Sequence, residues 1–236
     1  MKRLMTLVAV ALCLAAGTGT ASADVYDNYA QLRAAQREGV DYLITRYEPA
    51  SSDPAIAHIA IHGGRIEAGT SPLALYAAEK SHTTGYTFQA IKSENNTALH
   101  ITATHFDEPN ARRIVGNSYY TVSWHGKEGN TPITYLGGGD NDISAQVGTA
   151  LKHAGFVVED APERIDGDSP RNIANLNKRG EGVQLELTTA QRRAFFDGGN
   201  LDLDWTRNRS HWTPAFYRYV NAVLSVYERV PVPSNG

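Results

Sequence analysis

Hydrophobic and polar positions alternate in short runs along most of the chain. Ala57 to Ile61 (AHIAI) is the first clear run; Tyr86 to Ile91, Leu99 to Thr104, Tyr119 to Trp124, Phe156 to Glu159 and Val183 to Leu187 (VQLEL) follow. A two-residue period sends successive side chains to opposite faces, so each run predicts a short strand. Between the runs the period lengthens to that of a helix. Thr70-Ser71-Pro72 is a capping signal with proline in the first turn, and it predicts a helix over Leu73 to Ser81. Pro109 to Val115 predicts a shorter helix. Asn141 to Ala154 carries Ile143, Val147 and Leu151 on one side and is stopped by Gly155. Pro214 to Arg229 predicts a closing helix, with Phe216, Val220, Val223 and Leu224 together on one side. Strands that alternate with helices imply a single α/β domain, a mostly parallel or mixed open sheet flanked by helices. Such sheets bind ligands beyond the carboxyl ends of their strands, so the chemistry is expected just after strands.

The N-terminus does not belong to this pattern. Lys2 and Arg3 precede an apolar run, Leu4 to Ala16, and small and polar residues then lead to Ala21-Ser22-Ala23. This is the order of a secretory signal peptide, and the run is short for a membrane span. Cleavage after Ala23 is expected, with Asp24 as the new N-terminus and a secreted, extracellular product; the alternative is an uncleaved membrane anchor. The only cysteine, Cys13, lies inside this segment, so the exported chain has neither a disulfide nor a thiol nucleophile. About 210 residues remain, enough to bury a core without staples. Removing Lys2 and Arg3 takes the formal charge from −3 to −5. A mildly acidic chain without a basic block is a poor nucleic-acid binder. A monomer is expected, with Pro231-Val232-Pro233 in a C-terminal tail.

The most informative segment is Ile59-Ala60-Ile61-His62-Gly63-Gly64-Arg65-Ile66-Glu67-Ala68-Gly69-Thr70. A buried strand runs into His62, two glycines allow a tight turn, and Glu67 follows before a helix start. A histidine and a carboxylate on one strand-to-helix turn can converge on one ion, and catalytic zinc takes three such ligands with an open fourth position. A structural histidine beside a solvated glutamate is the plainer alternative. His125 shifts the balance, because it also ends a strand and is also followed by a glycine, Gly126. Glu186 alternates with Leu185 and Leu187 in a strand. A carboxylate there is costly unless paired or near a metal; it is a candidate general base, or else half of a salt bridge.

Other histidines carry less. His58 precedes His62 by four positions and can stand behind it, His100 and His105 flank a strand and can line a cleft, and His82, His153 and His211 read as surface residues. Gly137-Gly138-Gly139-Asp140 lacks the lysine of a phosphate loop and reads as a turn near the site. No Gly-x-Ser-x-Gly elbow is present, which argues against a serine hydrolase.

Four segments together resemble the poly-γ-glutamate hydrolase family of phages and bacteria, a group related to the zinc carboxypeptidases. They are His62-Gly63-Gly64-x-x-Glu67-x-Gly69-Thr70, Phe106-Asp107-Glu108-Pro109, Trp124-His125-Gly126 and Gly182-Val183-Gln184-Leu185-Glu186. The resemblance spans roughly residues 40 to 200; its first and last segments are specific, whereas Trp-His-Gly alone is weak. It implies a zinc-carboxypeptidase-like open sheet, one Zn2+ and cleavage of γ-glutamyl amide bonds. Carried over by position, His62, Glu67 and His125 become the zinc ligands and Glu186 the general base. One departure stands in Ser169 to Leu176: the resemblance implies an arginine after Asn175, and this chain has Leu176. Arg65 or Arg171 is expected to bind substrate carboxylates instead, with Lys178 or Arg179 as substitutes and Asn172 as a further substrate contact. The substrate is thus expected to be an anionic γ-glutamyl polymer. The alternatives are a carboxypeptidase, a γ-D-glutamyl cell-wall peptidase, and a non-catalytic binder of an anionic envelope polymer. Glu186 speaks against the last, since binding alone needs no base.

Overall fold

In a computed structural model, which describes residues 24–50 and 55–231, seven strands form one mixed sheet. The expected signal segment and cleavage site, and Val232 and Pro233 of the tail, lie outside the described residues. The strands are β1 (Tyr42–Tyr47), β2 (Ile56–Gly64), β3 (Thr84–Ala90), β4 (Tyr120–Lys127), β5 (Thr134–Gly137), β6 (Val158–Asp160) and β7 (Val183–Thr188), in the spatial order β1-β3-β2-β4-β7-β5-β6. The neighbours β3, β2, β4 and β7 run parallel, whereas β1 and β5 pair antiparallel to β3 and β7. The helices are α1 (Tyr29–Ala35), α2 (Thr70–Ser81), α3 (Pro109–Asn117), α4 (Asn141–His153), α5 (Thr189–Arg193), α6 (Leu203–Arg207) and α7 (Pro214–Tyr227).

Helices cover both faces, which is why the central strands read as nearly continuous apolar runs. On one face Ala60, Trp124, Leu185 and Leu187 pack with Leu73 of α2, Val147 of α4 and Phe216 and Tyr219 of α7. On the other, Ala57, Ile59 and Ile61 pack with Phe88, Ile114 of α3 and Leu32 of α1. The alternation along β2 therefore fixes its register against two cores at once.

The structure departs from the sequence-based expectations in several elements. Leu99 to Thr104 is not a strand: a 3-10 turn, Asn96–Leu99, leads into irregular chain. Its alternation is real, since Leu99 and Ile101 are fully buried, but it records core packing without a ladder partner. The strands β1 and β5 were not among the predicted runs; β1 lies at the sheet edge and β5 is only four residues long. The helix expected from Leu73 begins at Thr70, and its Thr and Ser hydroxyls do not cap it. Thr70 Oγ1 donates to the Glu67 carbonyl at 2.9 Å, and Ser71 Oγ accepts from Gly64 N–H at 3.2 Å. Both hydroxyls brace the preceding loop.

The connectivity sets the functional end of the sheet. After β2 the chain crosses to β3 on one side, and it later returns to β4 on the other. Strand order reverses between β2 and β4, and a crevice opens beyond their carboxyl ends. β2 ends in the turn at Gly64, whose φ is 67° and where a Cβ would come within 2.3 Å of the Ala90 carbonyl oxygen. Only glycine fits there.

Candidate metal centre

His62 stands two residues before the end of β2, and the Glu67 N–H returns to its carbonyl at 2.8 Å, closing the loop so that the two side chains face each other. His125 stands two residues before the end of the neighbouring β4. The three side chains meet at the switch between these strands. His62 Nδ1 is 3.0 Å from Glu67 Oε1 and 3.2 Å from His125 Nδ1, and His125 Nδ1 is 3.3 Å from Glu67 Oε2. Ligands at about 2.0 to 2.1 Å around one tetrahedral ion stand about 3.3 Å apart. The two imidazole nitrogens already stand at about that separation, and each has one Glu67 oxygen at a similar distance.

The surroundings fit a metal as well. His62 Nε2 donates to the Ile101 carbonyl at 2.8 Å, which leaves Nδ1 bare as a ligand. Gly126 N–H donates to Glu67 Oε2 at 2.9 Å, steadying the carboxylate. His125 Nε2 is buried without a partner among the described residues, so Nδ1 is its engaged nitrogen. Two imidazoles and one carboxylate match a three-ligand zinc site with an open position. The open side is a cleft of about 480 Å³ lined by His100, Lys127, Arg164, Asn172 and Glu186, among others.

Electrostatics follow from burial and proximity. Burial alone would raise the Glu67 carboxyl, but the His62 and His125 rings outweigh it and hold Glu67 well below the usual range. Burial likewise opposes charge on His125, yet Glu67 beside it raises His125 to about 9. Burial pushes Glu186 up to about 7, against the pull of His125 and a hydrogen bond from Gln184 Nε2 to Oε1 at 3.0 Å. Glu186 stands on β7 in register with His125, so the sheet itself brings base candidate and ligand candidate together.

These shifts make the metal-free protein sensitive to pH. The stabilising His125 charge is fully present below its unfolded value of about 6.5 and is lost as pH rises through about 9. The penalty on a charged Glu186 is absent below its unfolded value of about 4.3 and grows as pH rises towards about 7. Both act in one direction; below about pH 6.5 the buried, neutral His58 opposes them, so urea midpoints of chelator-treated protein are expected to fall from about pH 6.5 to pH 9. Zinc affinity should rise over the same window, since a ligating His125 must give up its proton. A flat profile in the metal-free protein would contradict these assignments.

The remaining sequence candidates divide. Asn172 is buried in the cleft wall and donates to Gln184 Oε1 at 2.8 Å, so it supports the residue that holds Glu186. Arg65 and Arg171 are exposed and are not among the residues lining the cleft. Leu176 packs half-buried against the second core and does not line it either. His100 does line the cleft, whereas His105 is exposed outside it. His58 does not stand behind His62. It lies about 13 Å down the strand, packed on Trp124 and Tyr227, and burial lowers it to about 3 and keeps it neutral.

Sequence reasoning missed Arg192. This arginine of α5 is buried, and it donates to the carbonyls of Ala68 at 2.7 Å, Leu187 at 3.2 Å and Lys127 at 3.2 Å. It thereby ties together the loop after His62, the end of β4 and the end of β7. A Cβ at Gly126 would stand 2.6 Å from its Cζ, which explains the glycine after His125. Nothing in the local sequence marks Arg192, because its acceptors are brought together only by the fold.

Fold and site together define an α/β protein with a candidate three-ligand metal site at its topological switch point. Residues 26–222 match the poly-gamma-glutamate hydrolase family, and the chain belongs to this family of hydrolases. Among curated relatives from Bacillus subtilis, UPF0714 protein YmaC is 36% identical over 208 residues, covering 87% of this chain and 85% of its own length. UPF0714 protein YndL is 38% identical over 175 residues, 73% of this chain and 67% of its own. The solved structure of a bacteriophage poly-gamma-glutamate hydrolase superposes with a TM-score of 0.80 at 33% identity, over 87% of this chain and 97% of that one. A structure of YndL described as apo and zinc-free gives 0.79 at 33% identity, over 88% and 98%.

Proposed function

We propose that this protein is an exported, zinc-dependent amidohydrolase that cleaves γ-glutamyl amide bonds of poly-γ-glutamate. The observation that carries this reading is the donor triangle of His62, Glu67 and His125, sized for one zinc, in a chain of this family. A zinc ion held there supplies a Lewis acid for the scissile carbonyl and lowers the pKa of a water molecule. Glu186 takes a proton from the attacking water as the new carbon–oxygen bond forms. It then delivers that proton to the amide nitrogen as the carbon–nitrogen bond breaks, so that a neutral amine leaves. In the metal-free protein burial already raises this carboxyl to about 7, the direction that suits a group which takes a proton and returns it. Gln184, itself held by Asn172, fixes which way the carboxylate points. Export rests on the N-terminal segment read above.

Recognition of substrate carboxylates falls first to Lys127. It lines the cleft two residues beyond His125, its Nζ lies 4.6 Å from the centre of the Tyr135 ring, and its charge reaches the Glu186 carboxylate. Arg65 and Arg171 serve further out, on longer stretches of polymer. Lys127→Met is expected to raise KM for poly-γ-glutamate at least about tenfold with a smaller effect on kcat, the scale of one charge-assisted hydrogen bond.

A second reading, a γ-D-glutamyl cell-wall peptidase, draws on one observation: Glu163, Asp166 and Asp168 all line the same cleft. An acidic wall suits a leaving group that carries an ammonium better than it suits a polyanion. Parallel digestion of poly-γ-glutamate, muropeptides and α-linked peptides separates the two. Fastest turnover of poly-γ-glutamate, abolished by chelation, is the expected result; faster turnover of muropeptides would replace the first reading with the second.

A further inference from the structure

The carbonyl that orients His62 belongs to Ile101, in the irregular chain after Leu99. No strand ladder holds this segment, so something else must keep that carbonyl in place. The residues on either side of Ile101 are both gripped by one side chain. Asp24 Oδ1 lies 2.7 Å from His100 Nδ1, and Asp24 Oδ2 accepts from Thr102 N–H at 2.6 Å. The Asp24 carboxylate is 13% exposed, shielded enough for both contacts to persist. His100 in turn stacks on the His62 ring, with centroids 3.9 Å apart and planes 29° apart. Five residues on, Tyr29 N–H donates to Asp107 Oδ1 at 2.7 Å, a second tie between the same two stretches of chain.

We infer that Asp24 is a positioning residue for the metal centre, clamping His100 and Thr102 so that the Ile101 carbonyl and the His100 ring hold His62 with Nδ1 turned to the metal. The inference rests on the metal-centre reading above and extends it to a residue outside the cleft. Two mechanisms converge on one imidazole. The carbonyl accepts the Nε2 proton and thereby selects the tautomer whose Nδ1 lone pair is free. The stacked ring limits rotation of the imidazole about its own axis. A carboxylate suits the outer position because its two oxygens can serve a backbone N–H and a ring nitrogen at once. Asp24 is also the residue expected to begin the exported chain, so the clamp places the start of that chain against the site's outer wall.

Asp24→Ala, compared with Asp24→Asn, tests this. Asn retains one acceptor for Thr102 and an amide that can donate to His100, so it should largely keep the clamp. Two readouts are needed, zinc affinity by chelator competition and the His62 ring tautomer by nitrogen NMR of metal-free protein. Partners behind a metal ligand are worth about 10- to 100-fold in affinity. Asp24→Ala is expected to weaken zinc binding about tenfold, to shift the visible spectrum of the cobalt-substituted protein, and to reduce the Nε2–H tautomer of His62. Asp24→Asn should stay within about threefold of wild type, and the metal-free forms should unfold at similar temperatures. If Asp24→Ala leaves both the zinc affinity and the tautomer at wild-type values, the inference is overturned. If the wild type binds no zinc yet the tautomer still shifts in Asp24→Ala, the clamp stands and the metal-centre reading falls.

Discussion

Glu186→Gln is expected to keep one zinc per chain while turnover of poly-γ-glutamate falls at least about a hundredfold, the scale of lost general-base catalysis. The substitution preserves size and can still accept the Gln184 amide that now reaches Oε1 at 3.0 Å. It removes only the ability to accept a proton. Because Glu186 is buried on the central strand β7, a neutral amide there should not cost stability; burial already disfavours the charged form and holds the carboxyl near 7. Zinc stoichiometry, turnover and a near-ultraviolet spectrum of the same preparation check all three parts. Full activity in the variant would place the base elsewhere.

Glu67→Gln should do the reverse and lose the metal first. Glu67 is the only anion in the donor triangle, with one oxygen on each histidine, at 3.0 Å and 3.3 Å. Its replacement leaves two neutral imidazoles for a divalent cation, and the apparent zinc affinity should fall by at least about a hundredfold. Activity should return in part at high zinc concentration, which distinguishes a lost ligand from a lost base. If Glu67→Gln retains zinc without activity while Glu186→Gln loses it, the two carboxylates have exchanged roles.

The candidate site was legible in the sequence to the extent that it is built near strand ends. His62 with Gly63 and Gly64, and His125 with Gly126, announce themselves because a ligand at a strand terminus needs a turn beside it, and the glycines are local. Glu186 was legible as a carboxylate alternating with leucines in a strand that proved buried. The expected strand at Leu99 to Thr104 shows where this reasoning stops. Alternation reports which side chains are buried, not whether the backbone has a neighbour to pair with, and here the Ile101 carbonyl is taken by His62. The edge strand β1 shows the converse, since its half-exposed pattern alternates weakly. Arg192 and Asp24 could not be read at all. Arg192 meets Ala68 across 124 residues of chain, and Asp24 meets Thr102 across 78. Such contacts depend on which loops the sheet order brings together. The candidate substrate-binding cations were read only in part. A basic residue near a motif is visible in sequence, but whether it faces a cleft is set by the fold, and Lys127 faces it where Arg65 and Arg171 do not.

The central claim is that one zinc held by His62, Glu67 and His125 is the condition for γ-glutamyl hydrolysis. The most direct measurement titrates zinc into chelator-treated protein while following poly-γ-glutamate cleavage, with the ion then located by anomalous diffraction from the loaded crystal. Activity is expected to rise in proportion to occupancy and level off at one equivalent, with the ion about 2.0 to 2.2 Å from His62 Nδ1, His125 Nδ1 and a Glu67 oxygen. Full cleavage by the chelated protein, or an ion held by a different set of residues, would contradict it.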